Sequence, residues 1–221
     1  MRKAPNLELE PLLVALGGPR SGLDAADEMT VRILDAAASV LATGGLRRCT
    51  VEEIAEQGRL GRTTIYRRFE GRDEIVHAVL AREVRDLFGV IAASVDHLER
   101  LEDQVVEGFL TGIRSASESL LVRLARSEPE LLGLIVTDSG PMMDLATTVM
   151  VSHLERLHGV GRSPAEVTRA RAVAEILIRL ALSFALMPGS SLPLDDDAAS
   201  RRLLHGILDP VLAPPIHTAD A

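Results

Sequence analysis

The amino-acid sequence predicts an all-helical protein, and three observations lead to this fold class. Along most of the chain, apolar residues recur three or four positions apart, which is the spacing of one face of an α-helix. The strict alternation of apolar and polar residues that is typical of strands is missing from the sequence. With 47% hydrophobic residues among 221, the chain is also long and apolar enough to bury a sizeable core.

Three helices are predicted after an N-terminal segment, residues 1–26, which has no sustained period and is expected to be a flexible arm. The first helix is predicted over 27–43 and ends at a pair of glycines. Thr50 opens the second helix, and Glu53 three residues later completes a capping box. After a tight turn, the third helix is predicted over 61–69, with one apolar side facing the core.

The third helix lies in a segment that is rich in arginine. Residues 46–72 contain seven arginines and four glutamates, whereas the chain from residue 89 onward contains 11 basic and 18 acidic residues. The net charge of −8 therefore does not exclude nucleic acid, because the excess acid lies outside this segment. Arginine can bind guanine edges, and hydroxyls can donate to phosphates, so the exposed face suits a DNA duplex. The alternative is an ordinary solvated helix face.

The segment TVEEIAEQGRLGRTTIYRRFEGRDEI, residues 50–75, resembles the signature of the TetR family of one-component repressors. It departs from the signature in the turn, where Gly58 and Arg59 replace alanine and glycine, and at Gly61, which replaces a capping serine. The positions that match are Thr50, Ile54, Ala55, Leu60, Thr64, Ile65, Tyr66, Phe69 and, with arginine for lysine, Arg72.

The resemblance implies an all-α fold with two domains. An N-terminal three-helix helix-turn-helix DNA-binding domain is expected over 27–72, and a C-terminal helical ligand-binding and dimerisation domain over 73–209. Residues 210–221 are expected to be a tail. The protein is then expected to be a cytoplasmic, homodimeric repressor that binds double-stranded DNA at a palindromic operator.

Eight residues are predicted to contact that DNA. Arg62 and Thr63 are predicted to contact base edges, and Arg67 to contact either bases or phosphates. The residues predicted to hold phosphates are Thr50, Thr64, Tyr66, Arg68 and Arg72.

Beyond residue 72 the apolar periods predict only helices. A long helix over 73–98 is expected to touch both domains and to act as the lever between them. The later helices are predicted over 103–126, over a short segment opened by a cap at Ser127, and over 141–157, 164–187 and 195–209.

The helix over 164–187 is predicted to form the dimer interface together with the last helix, 195–209. Its second half, AEILIRLALSFAL, is apolar nearly all the way round, so it is expected to be buried on both sides. A buried core helix in a monomer is the alternative. Arg179 is expected to be buried and paired with Glu175 or with a carboxylate across the interface. The alternative is that Arg179 or Ser183 faces the pocket and anchors the polar head of an acyl-type ligand.

The resemblance also implies a pocket for a small inducer in the C-terminal domain. The candidate lining is aliphatic, aromatic and rich in methionine, which fits a lipophilic inducer with an acyl chain best. Methionines also simply fill cores, which is the commoner explanation of them. The candidate ligand-binding residues are Phe88, Phe109, Ile113, Ser117, Leu120, Met142, Met143, Met150, Arg179, Ser183 and Phe184.

The sequence predicts neither an enzyme nor a metal or cofactor site. His153 and His158 are five residues apart, which is not the spacing of metal ligands on one helix face. Cys49, the single cysteine, is expected to be a partly buried thiol and not a redox group. No signal peptide or long apolar run is found, so no membrane partner is expected. The alternative function is an all-helical lipid carrier or enzyme in which the arginine-rich segment is incidental.

Overall fold

The computed structural model describes residues 27–129, 131–132, 140–158, 163–187, 189–190 and 192–212. Helices account for the secondary structure of these residues, and none of them lies in a strand. The all-α fold class is therefore confirmed. Residues 1–26, predicted to be an arm, and the tail beyond residue 212 lie outside the described residues.

The three predicted N-terminal helices are present as α1 (Glu28–Arg48), α2 (Val51–Gly58) and α3 (Arg62–Tyr66). Asp27 is the N-cap of α1, because its carboxylate accepts a hydrogen bond of 2.8 Å from the Thr30 amide. The predicted break near residue 44 is found at Gly45, whose φ of 67° is not helical. One further turn then completes α1.

Helix α3 is shorter than predicted. It has five residues, and Phe69, the predicted end, lies beyond it in a turn in which the Phe69 amide donates to the Ile65 carbonyl. Gly61 makes no side-chain cap at the start of α3. A helix this short is not stable by itself, so the burial of Ile65 and Phe69 in the core holds it in place.

The longer helices whose bounds the structure describes are α4 (Arg72–Val95), α5 (Leu101–Glu118), α6 (Leu120–Ser127), α7 (Gly140–His158), α8 (Pro164–Leu186) and α9 (Asp197–Leu212). The single helix predicted over 103–126 is wrong. The chain is extended at Ser119, whose hydroxyl accepts from the Val122 amide at 3.2 Å and opens α6 as a new helix. A serine hydroxyl can bond to nearby backbone amides in this way, which favours a cap over a continued helix.

A new helix does begin after Ser127, at Pro129, where the Leu132 amide donates to the Glu128 carbonyl at 3.1 Å, but the predicted cap by Ser127 is wrong, and residues 133–139 lie outside the described residues. Ser127 is the last residue of α6, and its hydroxyl donates back to the Arg123 carbonyl at 3.1 Å. The cap predicted at Ser163 is confirmed, since its hydroxyl accepts from the Glu166 amide at 3.2 Å. The last helix continues through Pro210, three residues past its predicted end. There Arg169 donates to the Val211 carbonyl at 2.7 Å.

The chain divides into two compact units. The first contains residues up to Phe88 together with Ser115–Ala146, and the second contains Gly89–Arg114 and the chain from Thr147 onward. The helix-turn-helix therefore shares a compact unit with α6 and with the first part of α7. In the second unit, helices α5, α8 and α9 pack around a core that contains Phe109, Leu110, Ile113, Leu177, Leu204 and Leu208.

Helix α1 is long and apolar enough, by length and composition alone, to cross a membrane. Its most apolar side chains, which include Ile33, Leu34 and Leu41, are almost fully buried in the first unit. The core helix of a water-soluble domain has the same composition, so the burial identifies α1 as a core helix.

Candidate nucleic-acid interface

The turn between α2 and α3 explains why this chain departs from the family signature. Arg59 ends α2 in the left-handed conformation with φ of 51°, where the signature has glycine. At Gly58, where the signature has alanine, a Cβ would lie 2.9 Å from the Leu60 side chain and 3.0 Å from Ala36. A side chain at residue 58 would therefore crowd Leu60 and Ala36, which favours glycine here, while Arg59 adopts the left-handed backbone at a moderate cost in free energy.

Four of the predicted contact residues present exposed side chains at α3. Arg62, Thr63, Tyr66 and Arg67 are exposed, and Thr64 is half-buried. Tyr66 is 53% exposed although it is a large aromatic residue. The opposite side of the helix is fixed by Ile65, which has no exposed surface. The exposed surface is thus a short, positively charged helix side that can enter a major groove.

Thr50 is half-buried and caps α2. Its hydroxyl accepts from the Glu53 amide at 3.2 Å, which confirms the predicted cap. Because a hydroxyl both accepts and donates, Thr50 can hold the helix start and still donate to a phosphate oxygen. Its phosphate contact stays a prediction.

Arg68 forms an ion pair with Asp27 across the domain. Its NH2 lies 2.5 Å from Asp27 Oδ2, and its Nε donates to Oδ1 at 3.2 Å. Hydrogen bonds from Arg68 and from Thr30 hold the pKa of the Asp27 carboxyl well below its usual range. Arg68, predicted to hold a phosphate, therefore connects the end of the recognition helix to the start of α1, and a phosphate has to compete with Asp27 for it.

Arg72 also has partners inside the domain. Its Nε donates to the Cys49 carbonyl at 2.5 Å, and its NH2 donates to the Leu46 carbonyl. Its side chain is only 20% exposed and lies 3.5 Å from Asp73. Arg72 therefore holds the connection between α1 and α2, and its predicted phosphate contact would use the same guanidinium.

Glu128 also holds the connection between α1 and α2. No pattern in the sequence identified this residue. The Leu46 amide donates to Glu128 Oε1 at 3.2 Å, although 82 residues separate the two. A Cβ at Gly45 would lie only 2.6 Å from the same oxygen. Helix α6 is held at its start as well, because the Leu120 amide donates to Glu83 at 3.1 Å.

Cys49 lies between these groups and is fully buried. Burial raises the pKa of its thiol to about 11, although the nearby Arg72 charge acts in the opposite direction. The thiol is therefore protonated at neutral pH and unreactive. The structure places Cys49 deeper than the partly buried position that the sequence predicted.

Two of the exposed arginines in the α2 and α3 region have acidic partners on the same surface. Arg62 NH1 lies 3.4 Å from Glu52 Oε1, and Arg48 NH2 lies 3.8 Å from Glu53 Oε1. Sequence reasoning missed Asp27, Glu52 and Glu128 as partners of functional groups. Asp27 is the first residue of the predicted first helix, but no local pattern connects it to Arg68.

The predicted ligand-binding residues are divided between the two units. In the first unit, Leu120 and Met143 are buried, and Phe88 and Ser117 are half-buried. In the second, Phe109 and Phe184 pack edge to face with their ring centroids 6.4 Å apart. Ile113 is buried in the same core, while Met150 and Ser183 are half-buried. The side chain of Met142 lies outside the described residues.

Arg179 is exposed in the single chain, and its expected pairing with Glu175 is confirmed, while its burial in a dimer interface stays a prediction. Its side chain is 57% exposed. It pairs with Glu175 through a contact of 2.8 Å between NH2 and Oε1, one helical turn away. The exposure follows from the position of Arg179 on the side of α8 that carries the exposed Ile176 and Leu180, away from the core around Leu177.

Comparisons with known proteins agree with this architecture. Residues 33–79 match the family described as bacterial regulatory proteins, tetR family, and residues 100–203 match the C-terminal domain of the bacterial tetracyclin repressor. The regulator AlkX of Mycobacterium tuberculosis, described as HTH-type, is 27% identical over 175 residues, which cover 76% of this chain and 78% of the relative.

Solved structures give the same result. The TetR family repressor AlkX from Dietzia sp. strain DQ12-45-1b, described as implicated in biodegradation of n-alkanes, is 26% identical with a TM-score of 0.58, and the match covers 82% of this chain and 94% of that one. The regulator SCO7518 from Streptomyces coelicolor A3(2) has the same fold at 18% identity and a TM-score of 0.55, over 85% of this chain and 99% of that one.

The fold and the exposed recognition helix define a helix-turn-helix DNA-binding regulator of transcription, and not an enzyme. The two family matches together cover more than half of the chain, and they place the DNA-binding and the C-terminal domain in the observed order. This chain belongs to the TetR family of bacterial transcriptional regulators.

Proposed function

We propose that the protein is a homodimeric, cytoplasmic repressor that leaves a palindromic operator when a small lipophilic ligand binds. The observation that carries the proposal is a pair of exposed apolar stripes on α8 and α9. Ile176 and Leu180 are 58% and 44% exposed on α8, and Ile207 and Val211 are 52% and 47% exposed on α9. Each pair is spaced by four residues, so each forms one helix face.

A second copy of this chain is the occupant that fits these stripes. The opposite sides of both helices already pack in the core of the second unit through Leu177, Leu204 and Leu208. Helices with apolar residues on both sides need a partner on the second side. Two helices from each of two copies would form a four-helix interface with two-fold symmetry.

Dimerisation also completes the DNA-binding function. A five-residue recognition helix contacts few bases, and a two-fold dimer doubles that number by placing a second recognition helix on the next half-site. Arg62 and Thr63 are proposed to contact base edges in each half-site, with Arg67 at bases or phosphates. Thr50, Thr64 and Tyr66 are proposed to hold phosphates, and so are Arg68 and Arg72 once the phosphate displaces their present partners.

The ligand proposed for the C-terminal domain is a lipophile with an acyl or alkyl chain. The candidate lining residues of the first unit, Phe88, Leu120 and Met143, are aromatic, aliphatic and methionine side chains, which suit a flexible apolar molecule. The Dietzia repressor is implicated in biodegradation of n-alkanes, which supports alkanes or their fatty-acid products as the first compounds to test. Helix α4, which supplies residues to both compact units, is the proposed lever for release.

The experiment that tests the proposal is a band-shift assay with DNA from the region upstream of the chain's own gene, at two salt concentrations, with and without long-chain alkanes or fatty acids. A preferred site, bound by a dimer and released by one of these compounds, is expected. A protein that binds all fragments equally and weakly would contradict the proposal, since a lipid carrier behaves in that way.

The first prediction concerns the base contacts within that site. Arg62→Ala is expected to cost about 1–3 kcal/mol of operator binding and to relax the base preference at one position of each half-site, because an arginine with two hydrogen bonds to guanine is lost. Arg47→Ala, which removes the same charge from an exposed position outside the predicted contacts, is the matched control. An unchanged preference profile in Arg62→Ala contradicts the assignment.

A further inference from the structure

A carboxylate stands beside the arginine that is proposed to contact bases. Glu52 lies in the first turn of α2, and Arg62 is the first residue of α3. Their side chains meet at 3.4 Å between Glu52 Oε1 and Arg62 NH1. Both are open to solvent, with 60% and 65% of their side-chain surface exposed. The acidic group therefore lies on the surface that would face DNA.

This ion pair has little to contribute to the stability of the free protein. An exposed pair gains little Coulomb energy in water, and it loses side-chain freedom in both partners. An arginine at the start of a helix is also unfavourable, because the amino end of the helix dipole is positive. On the DNA side, a carboxylate near phosphates weakens binding to any duplex. Because the Glu52 carboxylate lowers the affinity for every DNA sequence, we expect it to help the protein discriminate between sequences.

The geometry of the guanidinium indicates what that role is. Among the described residues, Glu52 is the hydrogen-bond partner of Arg62, and the bond uses NH1 alone. The edge formed by Nε and NH2 remains available. Guanine presents two acceptors, O6 and N7, to the major groove, and a planar arginine edge matches them with two parallel hydrogen bonds. A carboxylate on NH1 favours guanidinium orientations in which this edge is available to the base.

We propose that Glu52 is a specificity-determining positioning residue that holds Arg62 for a guanine in each half-site. The inference rests on the proposed function, in which Arg62 contacts base edges. In water the pair is weak, but in the groove both groups lose solvent and their attraction increases. At a site without guanine the same carboxylate is left facing the phosphates without a fully bonded arginine. Glu52 therefore weakens binding to other sequences and favours guanine at this position.

The test uses the full-length protein and operator variants that carry each of the four base pairs at the position contacted by Arg62. Glu52→Gln keeps the size of the side chain and removes its charge. It is expected to lower the preference for guanine by about five-fold, toward the lower end of the value of a bidentate contact, and to strengthen binding to non-operator DNA at low salt.

Glu56→Gln is the matched control, because Glu56 is an exposed glutamate one turn further along α2. It removes the same charge and is expected to strengthen non-operator binding in a similar way, but to leave the guanine preference unchanged. If Glu52→Gln and Glu56→Gln have the same preference profile as the wild type, the proposal is overturned, because Glu52 then acts only through its charge.

A double variant separates positioning from direct contact. If Glu52 acts through Arg62, then Glu52→Gln has no further effect on base preference in the Arg62→Ala background. A further change there would overturn the proposal, since it would mean that Glu52 itself accepts a hydrogen bond from a base, as a carboxylate can from cytosine. A wild-type protein without any sequence preference would instead refute the proposed function. Preference that survives Arg62→Ala would refute the base contact on which this inference rests.

Discussion

Replacing Gly45 with alanine tests the connection between the helix-turn-helix and Glu128. The backbone at Gly45 has φ of 67° and ψ of −175°, a region that is essentially restricted to glycine and costs other residues about 1–3 kcal/mol. The new Cβ would also lie 2.6 Å from Glu128 Oε1. No real Cβ contact is that short, so the carboxylate has to move.

Moving Glu128 breaks its hydrogen bond from the Leu46 amide, which measures 3.2 Å and is partly buried. A hydrogen bond to a charged group contributes about 1.5–3 kcal/mol. Alanine also has less conformational freedom than glycine in the unfolded chain, and this effect stabilises the folded protein by about 0.4–1 kcal/mol. Gly45→Ala is therefore expected to lower the free energy of unfolding by about 2–5 kcal/mol, a large part of the about 5–15 kcal/mol that is typical of folded proteins.

Chemical denaturation followed by circular dichroism measures this change. Gly89→Ala is the matched control, because Gly89 is exposed on α4 with no atom within 4 Å of the new Cβ. There the same substitution is expected to stabilise the helix by up to about 1 kcal/mol. In the Glu128→Ala background, Gly45→Ala should cost only the backbone strain less the effect on the unfolded chain, about 0–2.5 kcal/mol. A Gly45→Ala protein within about 0.5 kcal/mol of the wild type, with Gly89→Ala behaving as expected, would refute the reasoning.

Two further predictions concern the dimer and the Asp27–Arg68 ion pair. Ile207→Asp places a charge on the exposed α9 stripe, so it is expected to convert the dimer to a monomer and to abolish operator binding, while the helix content stays the same. Sedimentation measures the oligomeric state, and an intact dimer would contradict the prediction. Asp27→Asn keeps the cap but removes the charge that faces Arg68, and is expected to lower the unfolding temperature at pH 7. Because the pKa of Asp27 is held well below its usual range, the stabilising effect is present above about pH 4 and is lost as the pH falls further. The difference between Asp27→Asn and the wild type should therefore narrow in acid, and a constant difference from pH 7 to pH 2 would contradict the ion pair.

Much of the fold could be predicted because its causes are local in the sequence. The caps at Thr50 and Ser163 each involve an amide three residues away, and the break at Gly45 follows from a pair of glycines. The recognition helix and its exposed arginines follow from the same short segment that carries the family signature. Helix periodicity likewise depends on residues three and four apart.

The errors in helix boundaries have a local cause of a different kind. At Ser119 and at Ser127 a serine hydroxyl had two possible uses, as a cap for a new helix or as a donor to the preceding turn. The first serine caps a new helix and the second donates backward, and the sequence pattern is similar in both cases. The position of the chain in the surrounding packing decides between the two uses.

The sequence by itself determined the all-helical fold, the helix-turn-helix and the class of protein, because each depends on residues close together in the chain. Only the tertiary structure decided which charged groups pair. Arg68 meets Asp27 across 41 positions, and Leu46 meets Glu128 across 82. The pair of Arg179 with Glu175 is the exception, because a spacing of four residues on one helix already predicted it. A charged side chain can pair with any opposite charge within reach, so its partner is fixed only when the packed helices have placed the candidates in space.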